Sequence, residues 1–239
     1  MSASGHRVKS TKNSNTAPLN RDEIIVRLGD ALSKYDYPKV AFDFRRNRQV
    51  DFASYRQLEL SIRRQLRSRQ PHVVKDGLSN VLFWGYATSP GRQTSRVKRF
   101  RDEVGIAQIE RFIRAVQGPL SLTAIKACEL PQFSGISFIS KVLMFLDPVR
   151  YVTLDLQLAK IKRTKTATKF SALSVSPTAL RVTAGNEAFY LWWCLACASL
   201  ARKYFTGTTA ADVERGFFGL VRTGNAELAA QLLEAVDDC

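Results

Sequence analysis

Apolar residues recur along most of this chain at intervals of three and four, the period of helices that each bury one face. Asn20 followed by Glu23 has the form of a capping box, and Ile24, Ile25, Leu28, Ala31 and Leu32 predict the buried side of the helix behind it. Over 53–69, Tyr55, Leu58, Ile62 and Leu66 stack on one side while Arg63, Arg64 and Arg67 crowd the other. Shorter helices are expected over 76–86, 94–103, 106–116 and 122–128, punctuated by Gly91, Gly105 and Gly118-Pro119. A helix over 137–146 has Phe138, Ile139, Val142, Leu143 and Leu146 as its inner stripe, and Asp147-Pro148 ends it. The stretch 187–204 is apolar nearly all round, as in a central buried helix. Amphipathic helices over 210–222 and 226–236 close the chain.

Three segments break this rhythm. Residues 37–52 alternate apolar and polar side chains, which predicts a short strand or an extended arm. Residues 151–154 read as extended, with Asp155 opening a short helix, and 164–184, rich in Thr, Ser and Ala, read as loop. Residues 1–19 are polar, free of acids and without period, the pattern of a disordered basic tail. The fold class expected for 20–239 is therefore all-α with many short helices, either one domain or two lobes with a site between them.

Charge changes the picture. Thirty-six Lys and Arg against twenty-one Asp and Glu give a net charge of +15, which points to a polyanionic partner. The longest apolar run, 188–201, is too short to cross a bilayer, and the first twenty residues lack the apolar core of an export signal. Cys128, Cys194, Cys197 and Cys239 are too scattered for a disulfide framework, so a reducing, cytoplasmic setting is the default. Cys194 and Cys197 share an apolar helix with no companion ligands, and His6 and His72 are the two histidines. Neither a metal, a cofactor nor a histidine-centred triad is expected.

One stretch, 130–165, carries candidate chemistry. It reads as a helix end, a glycine-containing turn at Phe133, Ser134, Gly135 and Ile136, and a second helix entered through Ser137. An extended link then leads to Asp155. Backbone N–H groups in such a turn, backed by a helix N-terminus, suit a phosphate, and glycine at 135 keeps side-chain bulk away. Asp155 at a helix start either caps that helix or presents a solvated carboxylate for catalysis. From 156 to 186 no acid occurs, whereas Lys160, Lys162, Arg163, Lys165, Lys169 and Arg181 are basic, a pattern suited to a nucleic-acid backbone.

Leu130-Pro131, Gly135, the apolar helix with the phrase FLDP, and Asp155 together resemble the helix-hairpin-helix superfamily of base-excision DNA glycosylases, in the manner of its 8-oxoguanine branch. Gln132-Phe133-Ser134 departs from that pattern by replacing its first glycine. The resemblance implies a monomer that binds double-stranded DNA, flips a damaged or modified base and cleaves its glycosidic bond, with Asp155 catalytic. In the bifunctional members a lysine nucleophile stands where this chain has Ser137, eighteen residues before Asp155 (155 minus 137), which implies the monofunctional, water-using class. Lys141, one helical turn further on, is the alternative nucleophile. A flipped base needs an aromatic-lined pocket, for which Trp84, Tyr86, Trp192 and Trp193 are the candidates. Repair of oxidised purines and excision of modified bases from phage DNA are both compatible. A non-catalytic DNA-binding protein of the same fold is the reading from another class; an RNA-binding module would need a signature that is not visible.

Overall fold

A computed structural model describes residues 20–166 and 169–237. The tail expected over 1–19, and Cys239, lie outside the described residues. Helix α1 (Arg21–Ser33) starts as its sequence dictates: the Asn20 side chain accepts the Glu23 N–H at 3.0 Å and Glu23 answers to the Asn20 N–H. The alternating segment is an antiparallel hairpin of β1 (Val40–Asp43) and β2 (Arg48–Asp51), with Val40 opposite Asp51 and Phe42 opposite Gln49. Asp43 Oδ1 accepts the N–H groups of Arg45 and Arg46, and Asn47 takes the left-handed conformation that asparagine tolerates.

Helices α2 (Tyr55–Leu66), α3 (Pro71–Gly85), α4 (Pro90–Glu103), α5 (Ile106–Ala115) and α6 (Leu122–Lys126) follow. Two of them start earlier than their apolar pattern announces, because proline is at home in a first helical turn: α3 at Pro71 rather than 76, α4 at Pro90 rather than 94. The hairpin is fastened to α3 by buried Asn80, which accepts the Phe42 N–H at 2.7 Å and donates to the Phe42 carbonyl and to Gln65. Helix α7 (Ile136–Leu146) leads into the extended segment and a 3₁₀ helix (Leu158–Arg163). The stretch expected as loop contains a second 3₁₀ turn (Lys169–Ala172) and one bridge between Gly135 and Arg181.

Helices α8 (Ala184–Tyr204), α9 (Ala210–Arg222) and α10 (Ala226–Asp237) complete the ten α-helices among the described residues, so the all-α class holds with one two-stranded sheet added. Helix α8 is not buried all round as its composition suggests: Leu191 and Leu195 are exposed, and its buried side is Phe189, Tyr190, Trp193, Cys197 and Leu200. Helix α9 packs on α1 and α8 and is locked to α2 by Arg215. That guanidinium, with its side chain 4% exposed, pairs with Glu59 of α2 and with Asp212 at 2.6 Å, and lies 4.4 Å from the centre of the Tyr55 ring.

Removing one member of such a buried cluster strands the others without counter-charge. Arg215→Ala should therefore lower unfolding free energy by about 3–5 kcal/mol, whereas the double variant Arg215→Met with Glu59→Leu should recover most of that loss. Urea denaturation of both variants checks this, and equal losses in the two would refute it.

Candidate active site

Helix α7 is apolar apart from Ser137, Ser140 and Lys141, and the last two are buried. Polar groups in such a place need partners. Ser140 Oγ accepts the Leu154 N–H at 3.0 Å, which ties the helix to the extended segment 151–155. Lys141 Nζ donates to the Ser137 carbonyl at 3.0 Å and lies 3.5 Å from Asp155 Oδ2. The Lys141 and Asp155 side chains are 9% and 20% exposed, so water screens their interaction weakly. Asp155 Oδ1 accepts the N–H groups of Gln157 and Leu158 at 2.9 and 3.1 Å. One carboxylate oxygen is thus fixed by backbone donors, and the other is turned to the amine.

The lysine stem fits because α3 ends in glycine. A β-carbon on Gly85 would stand 2.5 Å from the Phe138 ring and 3.3 Å from Lys141 Cδ. The Phe138 ring centre is 5.4 Å from the ammonium and 4.8 Å from that of Tyr86. Tyr37 joins this wall by donating its hydroxyl between the carbonyls of Trp84 and Gly85. Burial pushes the Tyr37 phenol above its ordinary value, and the Asp155 charge adds to the effect.

Buried against the segment that carries Asp155 is Glu214 of α9, an acid that the sequence reading passed over. Thr153 Oγ1 donates to Glu214 Oε1 at 2.6 Å. Burial first, and then the charge of Asp155, raises the Glu214 carboxyl from 4.5 to about 7, against the Thr153 hydrogen bond and the cations Arg215 and Lys141. Its sequence signal is weak: in α9 it stands beside Arg215, and only the fold buries both.

The glycine turn differs from the expectation. Phe133 and Ile136 are core side chains, and the Ile136 N–H is taken by the Leu180 carbonyl at 2.9 Å. A β-carbon on Gly135 would meet that same carbonyl at 3.1 Å, so the glycine makes room for the chain rather than for a phosphate. Exposed Ser134 and the first-turn N–H groups of Ser137 and Phe138 are what the turn retains as donors. Arg96 reaches the turn, donating to Gln132 Oε1 at 2.9 Å.

The basic stretch differs from the expectation likewise. Lys162 donates to the carbonyls of Ser171 and Leu173 and serves the loop, not a ligand. Around Lys165 and Lys169 the basic stretch is not free of acids: their backbone N–H groups donate to Glu227 and Glu234 of α10 at 3.2 Å, so carboxylates remote in sequence enter it. The side chains of Lys160, Arg163 and Lys165 remain exposed, and a groove of about 610 Å³ lined by Leu156, Lys160, Arg163, Val175 and Pro177 starts one residue after Asp155.

Of the aromatic candidates, Tyr86 adjoins the lysine slot. Trp84 and Trp193 are core instead: their indole N–H groups donate to the carbonyls of Pro38 and Thr153, and neighbouring rings cover both. Half-buried Trp192 packs on Phe189 and Phe170. Cys194 is buried, with its thiol pushed up to about 11 by burial, so it is no nucleophile. Among the described residues no three His, Cys, Asp or Glu side chains are grouped to hold a metal, and no helix is long and apolar enough to cross a membrane.

No family model matches the chain, no curated protein matches it, and no solved structure matches it.

The raised Glu214 carboxyl makes stability depend on pH. Unfolded chains ionise this group near its ordinary 4.5 and the folded protein near 7, so its contribution is present below 4.5 and is lost as pH rises to about 7. The loss is on the order of 1–3 kcal/mol over that window. In Glu214→Gln it should vanish, leaving the variant more stable relative to wild type at pH 8 than at pH 4. Urea midpoints across this range give the comparison, and a constant difference between the two proteins would contradict it.

Proposed function

We propose that this protein is a DNA glycosylase of the helix-hairpin-helix kind, in which Asp155 and Lys141 act on the sugar of a nucleotide flipped out of duplex DNA. One observation carries the reading: an amine and a carboxylate 3.5 Å apart, their side chains 9% and 20% exposed, at the end of the Leu130-Pro131, Gly135, Asp155 pattern. Departure of a base leaves positive charge on the sugar, which a fixed carboxylate stabilises. Lys141 is the nucleophile in place of Ser137, whose contribution is a carbonyl that orients the amine. The deprotonated amine attacks C1′, the bond from C1′ to the base nitrogen breaks, and the base leaves with that electron pair and takes up a proton. As the C1′–O4′ bond breaks, O4′ keeps that electron pair and takes up a proton, leaving a protonated imine between C1′ and Nζ; a base removes a C2′ proton, and the 3′ phosphate leaves with the C3′–O electron pair. The net charge of +15, with Arg96, Lys160, Arg163 and Lys165 near this region, supplies the attraction for phosphates.

A second reading follows from the two partners that the amine already holds. Lys141 then stays a cation that orients Asp155, and Asp155 activates water in the monofunctional manner.

The test is base release from duplexes bearing a panel of oxidised and otherwise modified bases, phage genomes included. Wild type should release a base and be trapped on DNA by borohydride; Lys141→Gln should not be trapped. Asp155→Asn should slow release by about 10²- to 10⁴-fold with duplex binding retained. Abasic sites that need alkali to become breaks, without trapping, would favour the water reading. Tight binding indifferent to Asp155→Asn, with no base released, would leave a non-catalytic DNA-binding protein.

A further inference from the structure

The segment that carries Asp155 is extended, buried over 151–154 and, among the described residues, without a strand beside it, so side chains must satisfy its polar groups. Tyr190 donates to the Val152 carbonyl at 2.9 Å, Trp193 to the Thr153 carbonyl at 2.9 Å, and Ser140 accepts the Leu154 N–H. These three tethers are neutral. The fourth, Glu214 on the Thr153 hydroxyl, is ionisable, although an amide or a hydroxyl would accept the same bond. Burying a carboxyl is unfavourable, so a carboxyl here calls for a role that a neutral group cannot fill.

Its surroundings point to that role. Glu214 is faced by Arg215 from its own helix, Tyr35 from the end of α1, Lys141 from α7 and Asp155 from the segment. Tyr190, Cys194 and Cys197 face it from α8. Tyr190 and the two thiols have their ionised forms suppressed by burial, and Arg215 is already paired with Glu59 and Asp212, so the remaining charge rests on Lys141, Asp155 and Glu214. We propose that Glu214 is a positioning residue that holds the Asp155 segment through Thr153 and whose ionisation state sets the charge balance of the Lys141–Asp155 pair. Resting on the reading that these two groups act on the substrate, the inference adds a third member to the site and makes its working state depend on pH. With Glu214 neutral, Asp155 alone balances Lys141. With Glu214 charged, a second negative group faces the same amine.

The experiment needs no DNA. In protein carrying ¹³Cε-lysine, the Lys141 signal is assigned by its loss in Lys141→Arg and followed from about pH 5 to about pH 9, spanning the Glu214 transition. Wild type should show an inflection near 7. Glu214→Gln, which can still accept the Thr153 hydrogen bond, should lose it. Thr153→Val, which keeps the carboxyl but removes the bond favouring its charge, should move it upward. An inflection that survives in Glu214→Gln, or none in wild type, overturns the proposal; should Glu214→Gln not fold, an unmoved inflection in Thr153→Val does so. Failure of base release with these shifts intact would refute the glycosylase reading and leave the coupling standing.

Discussion

The structure depends on one constraint: an extended piece of backbone, 151–155, crosses the core with no strand to pair with. A strand without a sheet can be buried only if side chains replace the missing ladder. Helices α7, α8 and α9 each send one or two polar groups inward for this purpose, and those groups fix how each helix is rotated about its own axis. Ser140 does so for α7, Tyr190 and Trp193 for α8, and Glu214 for α9. Packing of apolar faces alone would tolerate a range of rotations, because hydrophobic contact is not directional. Tethering the segment removes that freedom and leaves Asp155 at a defined point opposite Lys141.

The same constraint explains why aromatic residues that look like ligand-binding candidates turn out otherwise. Tryptophan offers both area and one donor, and when buried it seeks an acceptor. Trp193 finds one on the tethered segment, and Trp84 finds one on Pro38 beside the hairpin. Both are consumed in holding up the walls around the slot. Tyr37, Tyr86 and Phe138, which line it, are less conspicuous in the sequence. They reach it because Gly85 lets a helix end come close to α7.

Element type was legible wherever the apolar period was long. The capping box of α1, the limits of α9 and extended structure inside the alternating stretch follow from local chemistry, and so does Asp155 at the mouth of a short helix; the pairing of that stretch into a hairpin does not. Helices α3 and α4 begin earlier than expected, at Pro71 and Pro90, because a proline, which interrupts a helical sequence pattern elsewhere, suits a first helical turn. Asp155 and Lys141 were legible as separate candidates, the first from resemblance and the second from helical spacing. Their contact was not, since fourteen residues separate them and only the tethered segment decides the approach. Glu214 was invisible for the same reason, being far along the chain in a helix with a normal amphipathic pattern. The charge of 156–186 misled in the opposite direction: freedom from acids in sequence is not freedom from acids in space once Glu227 and Glu234 arrive from α10.

A buried lysine beside a buried aspartate is weak evidence for stability, since desolvating two charges offsets most of what their attraction returns. Here the arrangement has further unfavourable terms. A glycine occupies the last turn of α3, two polar residues interrupt the most apolar helix of the chain, and a carboxyl lies under the pair at full burial. A hydrophobic replacement of Lys141, Asp155 and Glu214 would suit the core better than the native set does. Held together at that cost, beside a segment tethered by Ser140, Tyr190 and Trp193, these three ionisable groups answer the need of the proposed chemistry for fixed charge.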